Sequence, residues 1–138
     1  MRMRGLIALS FLLASAWGAE STLACGACVE DKVAATYDHA VVTKAAAEGH
    51  VVVFGEIGGP VDMNALTSRI ATAAARVRGI DRGTVRVAAS PPAFSFALDP
   101  AVRAPESAVA ELRKQLHTPG ATLTVLRVAP APTRAARN

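Results

Sequence analysis

The chain has only two cysteines, one tryptophan, one tyrosine and four phenylalanines in its 138 residues. So few aromatics leave no basic surface interleaved with stacking rings, and no dense Lys/Arg stripe stands in its place, so nucleic acid is not an expected partner. No apolar run reaches the roughly 20 residues that a membrane-spanning helix needs, and no permanent anchor is expected. Gly55 and Gly58-Gly59 are accompanied by neither a GxGxxG nor a P-loop Lys-Ser/Thr, which removes the common phosphate-cradling motifs. Tyr37-Asp38-His39 has the composition of a catalytic string, but neighbours on a helix point in different directions, and Asp38 and His39 read as solvated. No Ser/His/Asp arrangement has a supporting context. An enzyme is not the first expectation.

What the chain does have begins at its N-terminus. Arg2 and Arg4 precede the mostly apolar run Gly5 to Ala16, and Ala14-Ser15-Ala16 supplies a small-residue cleavage site. That is the pattern of a secretory leader, expected over residues 1–19. Thr22-Leu23-Ala24 matches lipoprotein processing before Cys25 poorly, so plain export to the periplasm or the medium is the expectation. Loss of Arg2 and Arg4 with the leader lowers the formal charge from +4 to about +2. What remains is about 120 residues, enough for one small domain with a core.

Both cysteines fall just past the leader, as Cys25-Gly26-Ala27-Cys28. Export places them in an oxidising compartment, where a disulfide can persist. After Cys28, residues Val29 to Glu48 contain no Gly or Pro. Val29, Val33, Tyr37 and Val41 recur at every fourth position, which predicts one helix from about Cys28 to Glu48, stopped by Gly49. Residues 20–49 thus form a CxxC segment and its helix.

From residue 50 to 129 the pattern changes. Val51 to Ile57 reads as a strand whose first four residues are continuously apolar, suggesting burial on both faces. Asp62 is placed to cap a helix on which Leu66, Ile70, Ala73 and Val77 keep helical spacing up to Gly79. Thr84 to Ala88 reads as a strand, and Phe94, Phe96 and Leu98 alternate with small residues as a half-buried one. From Pro105 a helix carries Ala108, Val109, Leu112 and Leu116 on one face, and Leu123 to Val128 forms the last strand. Residues 130–138, with Pro130, Pro132, Arg134 and Arg137, read as a loose tail.

The order strand, helix, strand, strand, helix, strand is the split βαβ arrangement, so the expected fold is α+β: a ferredoxin-like module preceded by an N-terminal helix. The doubly apolar first strand then needs a second cover. The Val29–Val41 stripe is one candidate and a homodimer the other.

Residues 51–128 resemble heavy-metal-associated domains, the small ferredoxin-like modules of copper chaperones and of the periplasmic mercury-binding protein. The likeness lies in Arg78-Gly79-Ile80 before a strand and in Phe94-Ser-Phe-Ala-Leu98-Asp99-Pro100 before the second helix of the module. It implies a ferredoxin-like fold and soft-metal handling. Members carry a CxxC in the loop after the first strand. Here that stretch reads Gly58-Gly59-Pro60-Val61-Asp62-Met63-Asn64-Ala65, so none of the family's metal ligands carries over by position.

The chemistry therefore rests on Cys25 and Cys28. With Cys28 opening a helix and Cys25 in the turn before it, both sulfurs can converge where backbone N–H groups and the helix dipole favour thiolate. Two thiolates suit Cu(I) or Hg(II); Zn(II) prefers four ligands, and no second pair is evident. The expected function is capture or transfer of Cu(I), with a metal donor or acceptor protein as partner. Met63 is a soft thioether that could join only if the N-terminal helix docks beside it, and packing is its commoner use. His39 lies about 16 Å along the helix from Cys28, too far to join, and His50 could return only through tertiary folding. The alternatives are thiol–disulfide exchange, with Cys25 attacking and Cys28 resolving, and a local structural disulfide, which over so short a loop is a weak staple.

Overall fold

The computed structural model describes residues 28–129, so the leader, Cys25 and the C-terminal tail lie outside the described residues. Among these it holds four α-helices and one four-stranded antiparallel sheet. The α+β class expected of the sequence is the one observed. The elements are α1 (Val29–Thr36), α2 (His39–Glu48), β1 (Val51–Gly58), α3 (Met63–Ala74), β2 (Arg86–Ala89), β3 (Pro92–Leu98), α4 (Pro105–Leu116) and β4 (Thr122–Ala129). Across the sheet the order is β2-β3-β1-β4, with every neighbouring pair antiparallel. No helix among the described residues is long and apolar enough to cross a membrane.

β1 is a central strand, hydrogen-bonded to β3 on one side and β4 on the other, and alternate residues feed two different cores. Val53 and Ile57 join Phe94, Phe96 and Leu98 of β3 against Leu66 and Ile70 of α3 and Leu112 of α4. Val52 and Phe54, with Ala97, pack instead against Val33, Val41 and Ala45 of α1 and α2. The second cover for β1 is thus supplied in cis by the N-terminal helices. The same cover explains why β3 is buried from Ala93 through Leu98 rather than half-buried, as its alternation suggested. Its small residues Ala93, Ser95 and Ala97 leave room for a helix on that side.

The expected single helix from Cys28 to Glu48 is two helices. Tyr37 and Asp38 adopt extended backbone (ψ 127° and 114°) between them. The cause is Asp38, whose carboxylate accepts from the N–H groups of Ala40 (2.9 Å) and Val41 (3.3 Å) and so starts a new helix rather than continuing the old one. The break takes the predicted stripe apart. Val33 and Val41 are buried, while Val29 and Tyr37 are 42% and 53% exposed.

Two smaller departures have equally local reasons. α3 ends at Ala74 rather than near Gly79, because Arg76 and Val77 bond back three residues and tighten the chain into turns. Val77 still reaches the core. The strand expected from Thr84 starts at Arg86, because Thr84 closes a one-turn 3-10 helix (Arg82–Thr84). There its hydroxyl donates to Asp81 C=O (2.6 Å) and accepts from Ala97 N–H (2.8 Å).

Candidate functional site

Cys28 is the N-cap residue of α1 and is exposed. Its backbone N–H donates to Asp31 Oδ2 at 3.3 Å, one arm of a capping box that fixes how the chain enters the helix. With Glu30, Asp31 puts two carboxylates in the first turn beside the sulfur.

The helix behind Cys28 is pinned to the sheet, strand by strand. Glu30 forms a two-pronged ion pair with Arg127 of β4, in which Arg127 Nη1 lies 3.1 Å from Glu30 Oε2. One half-turn on, Lys32 pairs with Glu56 of β1. At the C-terminal end Ser95 Oγ of β3 donates to Thr36 C=O at 2.8 Å. Past the break, Arg86 of β2 donates through Nε to Asp38 Oδ2 at 2.9 Å, and its Nη2 lies 2.8 Å from the same oxygen. The contacts follow the spatial order β4, β1, β3, β2. α1 therefore runs across the strands and carries Cys28 to the β4 side of the sheet.

These pairs leave an electrostatic mark. Hydrogen bonding to Arg127, reinforced by its charge, holds the Glu30 carboxyl below its ordinary value. Arg86 and the capped N–H of Val41 do the same for Asp38. Asp81, hydrogen-bonded to Lys44 of α2 at 2.7 Å, is lowered chiefly by that contact.

The structure does not gather the other sequence-level candidates around Cys28. Met63 opens α3 and packs, half-buried, against the core on the far side of the sheet from α1. His39 follows the break and faces Thr43, with Nε2 3.5 Å from its hydroxyl, on the β2 side. His50 lies between Glu48 (Nδ1 to Oε2, 3.3 Å) and Asp99 (Nε2 to Oδ2, 3.9 Å) at the start of β1. Among the described residues no group of three or more His, Cys, Asp and Glu side chains is placed to hold a metal ion. Cys25, the other cysteine of the sequence, lies outside the described residues.

Sequence reasoning missed the docking residues. Asp38, read as solvated, is a cap and an ion-pair partner, and an Asp directly before a helical run was the available signal. Glu30, Lys32, Glu56 and Arg127 gave no sequence signal, because pairs 24 and 97 positions apart exist only once the fold brings them together. Compared with known proteins, the chain matches no family model, no curated protein and no solved structure.

Proposed function

We propose that the protein is an exported carrier of a soft metal ion, Cu(I) first and Hg(II) or Zn(II) after it, which it captures or passes on through Cys25 and Cys28. The observation that carries this reading is the placement of Cys28: exposed, at the cap of a helix docked to the sheet through paired side chains. A thiol so placed is open to a donor or acceptor protein yet fixed in direction, and a pair of sulfurs three positions apart can hold Cu(I) in two-coordinate geometry. Glu30 is taken up by Arg127, and the Asp31 carboxylate in the same first turn favours an incoming cation.

Among the described residues the fold lacks the setting in which the CxxC motifs of thiol–disulfide exchange act. They follow a strand inside a βαβ unit, whereas Cys28 precedes α1 and the first described strand begins at Val51. Within this reading the module from β1 to β4 is ferredoxin-like. The strand order and the two helices on one face support that assignment, as does the likeness to heavy-metal-associated domains over residues 51–128. The thiol pair then belongs to the added helix on the opposite face, not to the loop between β1 and α3.

The test is an anaerobic Cu(I) titration of the reduced protein against a competing chelator, beside a Cys25→Ser/Cys28→Ser variant. One equivalent bound by the wild type and lost in the variant is the expected result. Identical titrations of the two proteins would sink the proposal. Disulfide reductase activity without Cu(I) binding would replace it with the exchange reading.

A further inference from the structure

The face of the molecule remote from Cys28 carries three adjoining hollows along the ends of α3 and α4. The central one, about 310 Å³, lies between the helices and is walled by Arg69, Arg76 and His117. His117 also belongs to a hollow of about 390 Å³ with Arg113, and Arg76 to one of about 440 Å³ with Arg78 and Arg82. Shared walls make the three a continuous track. None of its lining residues is an aspartate or a glutamate.

The arginines of this track differ from those on the other face. Arg86 and Arg127 are each committed to a carboxylate of the N-terminal helices. Among the described residues Arg69, Arg76, Arg78, Arg82 and Arg113 have no ion-pair partner, and Arg69 makes only a long contact to the Thr118 hydroxyl (3.4 Å). Of the acids close to them in sequence, Asp81 pairs with Lys44, and Glu111 accepts from the Gln115 amide at 2.8 Å. Five guanidinium groups along concave surface, none of them in an ion pair among the described residues, make a candidate anion-binding track.

We infer that this track binds an extended acidic peptide segment of a partner protein. Arg69 on α3 and Arg76 in the turn beyond it line one hollow, so a single extended segment, whose alternate side chains recur at about 6.8 Å, can meet both. A run of Asp/Glu residues laid along the track would match carboxylates to planar guanidinium groups. The Ser68 and Thr72 hydroxyls, which donate to the carbonyls of Ala65 and Ser68, line the same hollow and can accept from peptide N–H groups. No Phe, Tyr or Trp side chain lines it, whereas bases of a single strand would want a stacking platform. A membrane surface would be met by a protruding apolar face, and the apolar residues here, Ala73, Val77 and Leu116, are buried on the floor. The inference does not rest on metal binding, since Cys28 lies across the sheet.

The test is fluorescence anisotropy of the full-length protein with a labelled peptide of about ten alternating Asp and Glu, beside its Asn/Gln counterpart. The acidic peptide should bind saturably and lose affinity steeply with added salt. Arg69→Gln/Arg76→Gln should weaken it about tenfold or more, whereas Lys114→Gln, which removes a charge from α4 outside the track, should not. Arg78→Gln/Arg82→Gln serves as the second variant if the first melts early by circular dichroism. Equal weakening by Lys114→Gln would reduce the effect to net charge and overturn the site. Tighter, track-dependent binding of oligothymidylate, a sulfated polysaccharide or anionic vesicles would overturn the peptide assignment.

Discussion

Ser95, in the middle of β3, donates its hydroxyl to the carbonyl of Thr36, the last residue of α1, across 59 positions of sequence and inside the protein. The bond does two things at once. It satisfies a C-terminal helix carbonyl that has no partner within α1, and it fixes where the N-terminal helices meet the sheet. Replacing Ser95 by Ala leaves that carbonyl buried without a donor. The expected loss is about 1–3 kcal/mol of stability, seen as a lower urea midpoint with an unchanged slope. An unchanged midpoint would show that water or a backbone shift replaces the bond.

Docking of α1 and α2 should also weaken in acid. Glu30, Asp38 and Asp81 all sit below their ordinary values of 4.5, 3.8 and 3.8, each chiefly through a hydrogen bond to its basic partner (Arg127, Arg86 and Lys44). A depressed carboxyl contributes stability that is present in full above the unfolded value and is lost as pH falls through the folded one. The wild type should therefore lose urea resistance as pH drops from about 5 toward 2. A Glu30→Gln/Asp38→Asn/Asp81→Asn variant should start lower and fall less over the same range. All three pairs are at the surface, so the effect is small and shrinks with added salt. Parallel pH curves for the two proteins would contradict the assignment.

The elements that sequence reasoning located well are those whose signal is local. Asp62 before α3, Pro105 at the start of α4, and Gly49 (φ 71°) ending α2 each act through the few residues beside them. The core positions Leu66, Ile70, Leu112 and Leu116 followed from helical spacing alone. The errors share a different origin. At Asp38, helical periodicity on both sides outweighed a competing Asx cap. At β3, alternation of large and small residues looked like one wet face, when the small residues instead accommodate α1. The site divides the same way. An exposed Cys28 at a helix start was legible, while its docking pairs depend on strands 24 and 97 residues away.

Gly55 marks a place where the sheet admits no side chain. A Cβ there would fall 2.2 Å from Phe94 Cζ and 2.7 Å from the Thr124 carbonyl oxygen. Phe94 is fully buried and stacked on Phe96, with ring centres 6.0 Å apart, so it has nowhere to swing. Gly55→Ala should cost about 1–3 kcal/mol by thermal or urea denaturation. Adding Phe94→Leu should recover part of that loss, whereas two independent sites would give losses that sum.

Removal of residues 1–49 tests whether the N-terminal helices are cover as well as carrier. Val52, Phe54 and Ala97, buried beneath Val33, Val41 and Ala45, would then face water on one side of the sheet. The module keeps its other core, built from α3, α4 and the opposite face, so it should retain much of its secondary structure. It should nevertheless dimerise or aggregate, because an apolar patch of a few hundred Å² on a small domain is buried whenever a partner is to hand. Light scattering coupled to gel filtration reads the difference, and Phe54→Lys in the shortened chain should restore the monomer. A shortened chain that stays monomeric and as stable as the full-length protein would show that α1 and α2 contribute nothing to covering the sheet. The Ser95–Thr36 hydrogen bond and the charge pairs to Glu56, Arg86 and Arg127 would then be their hold on it.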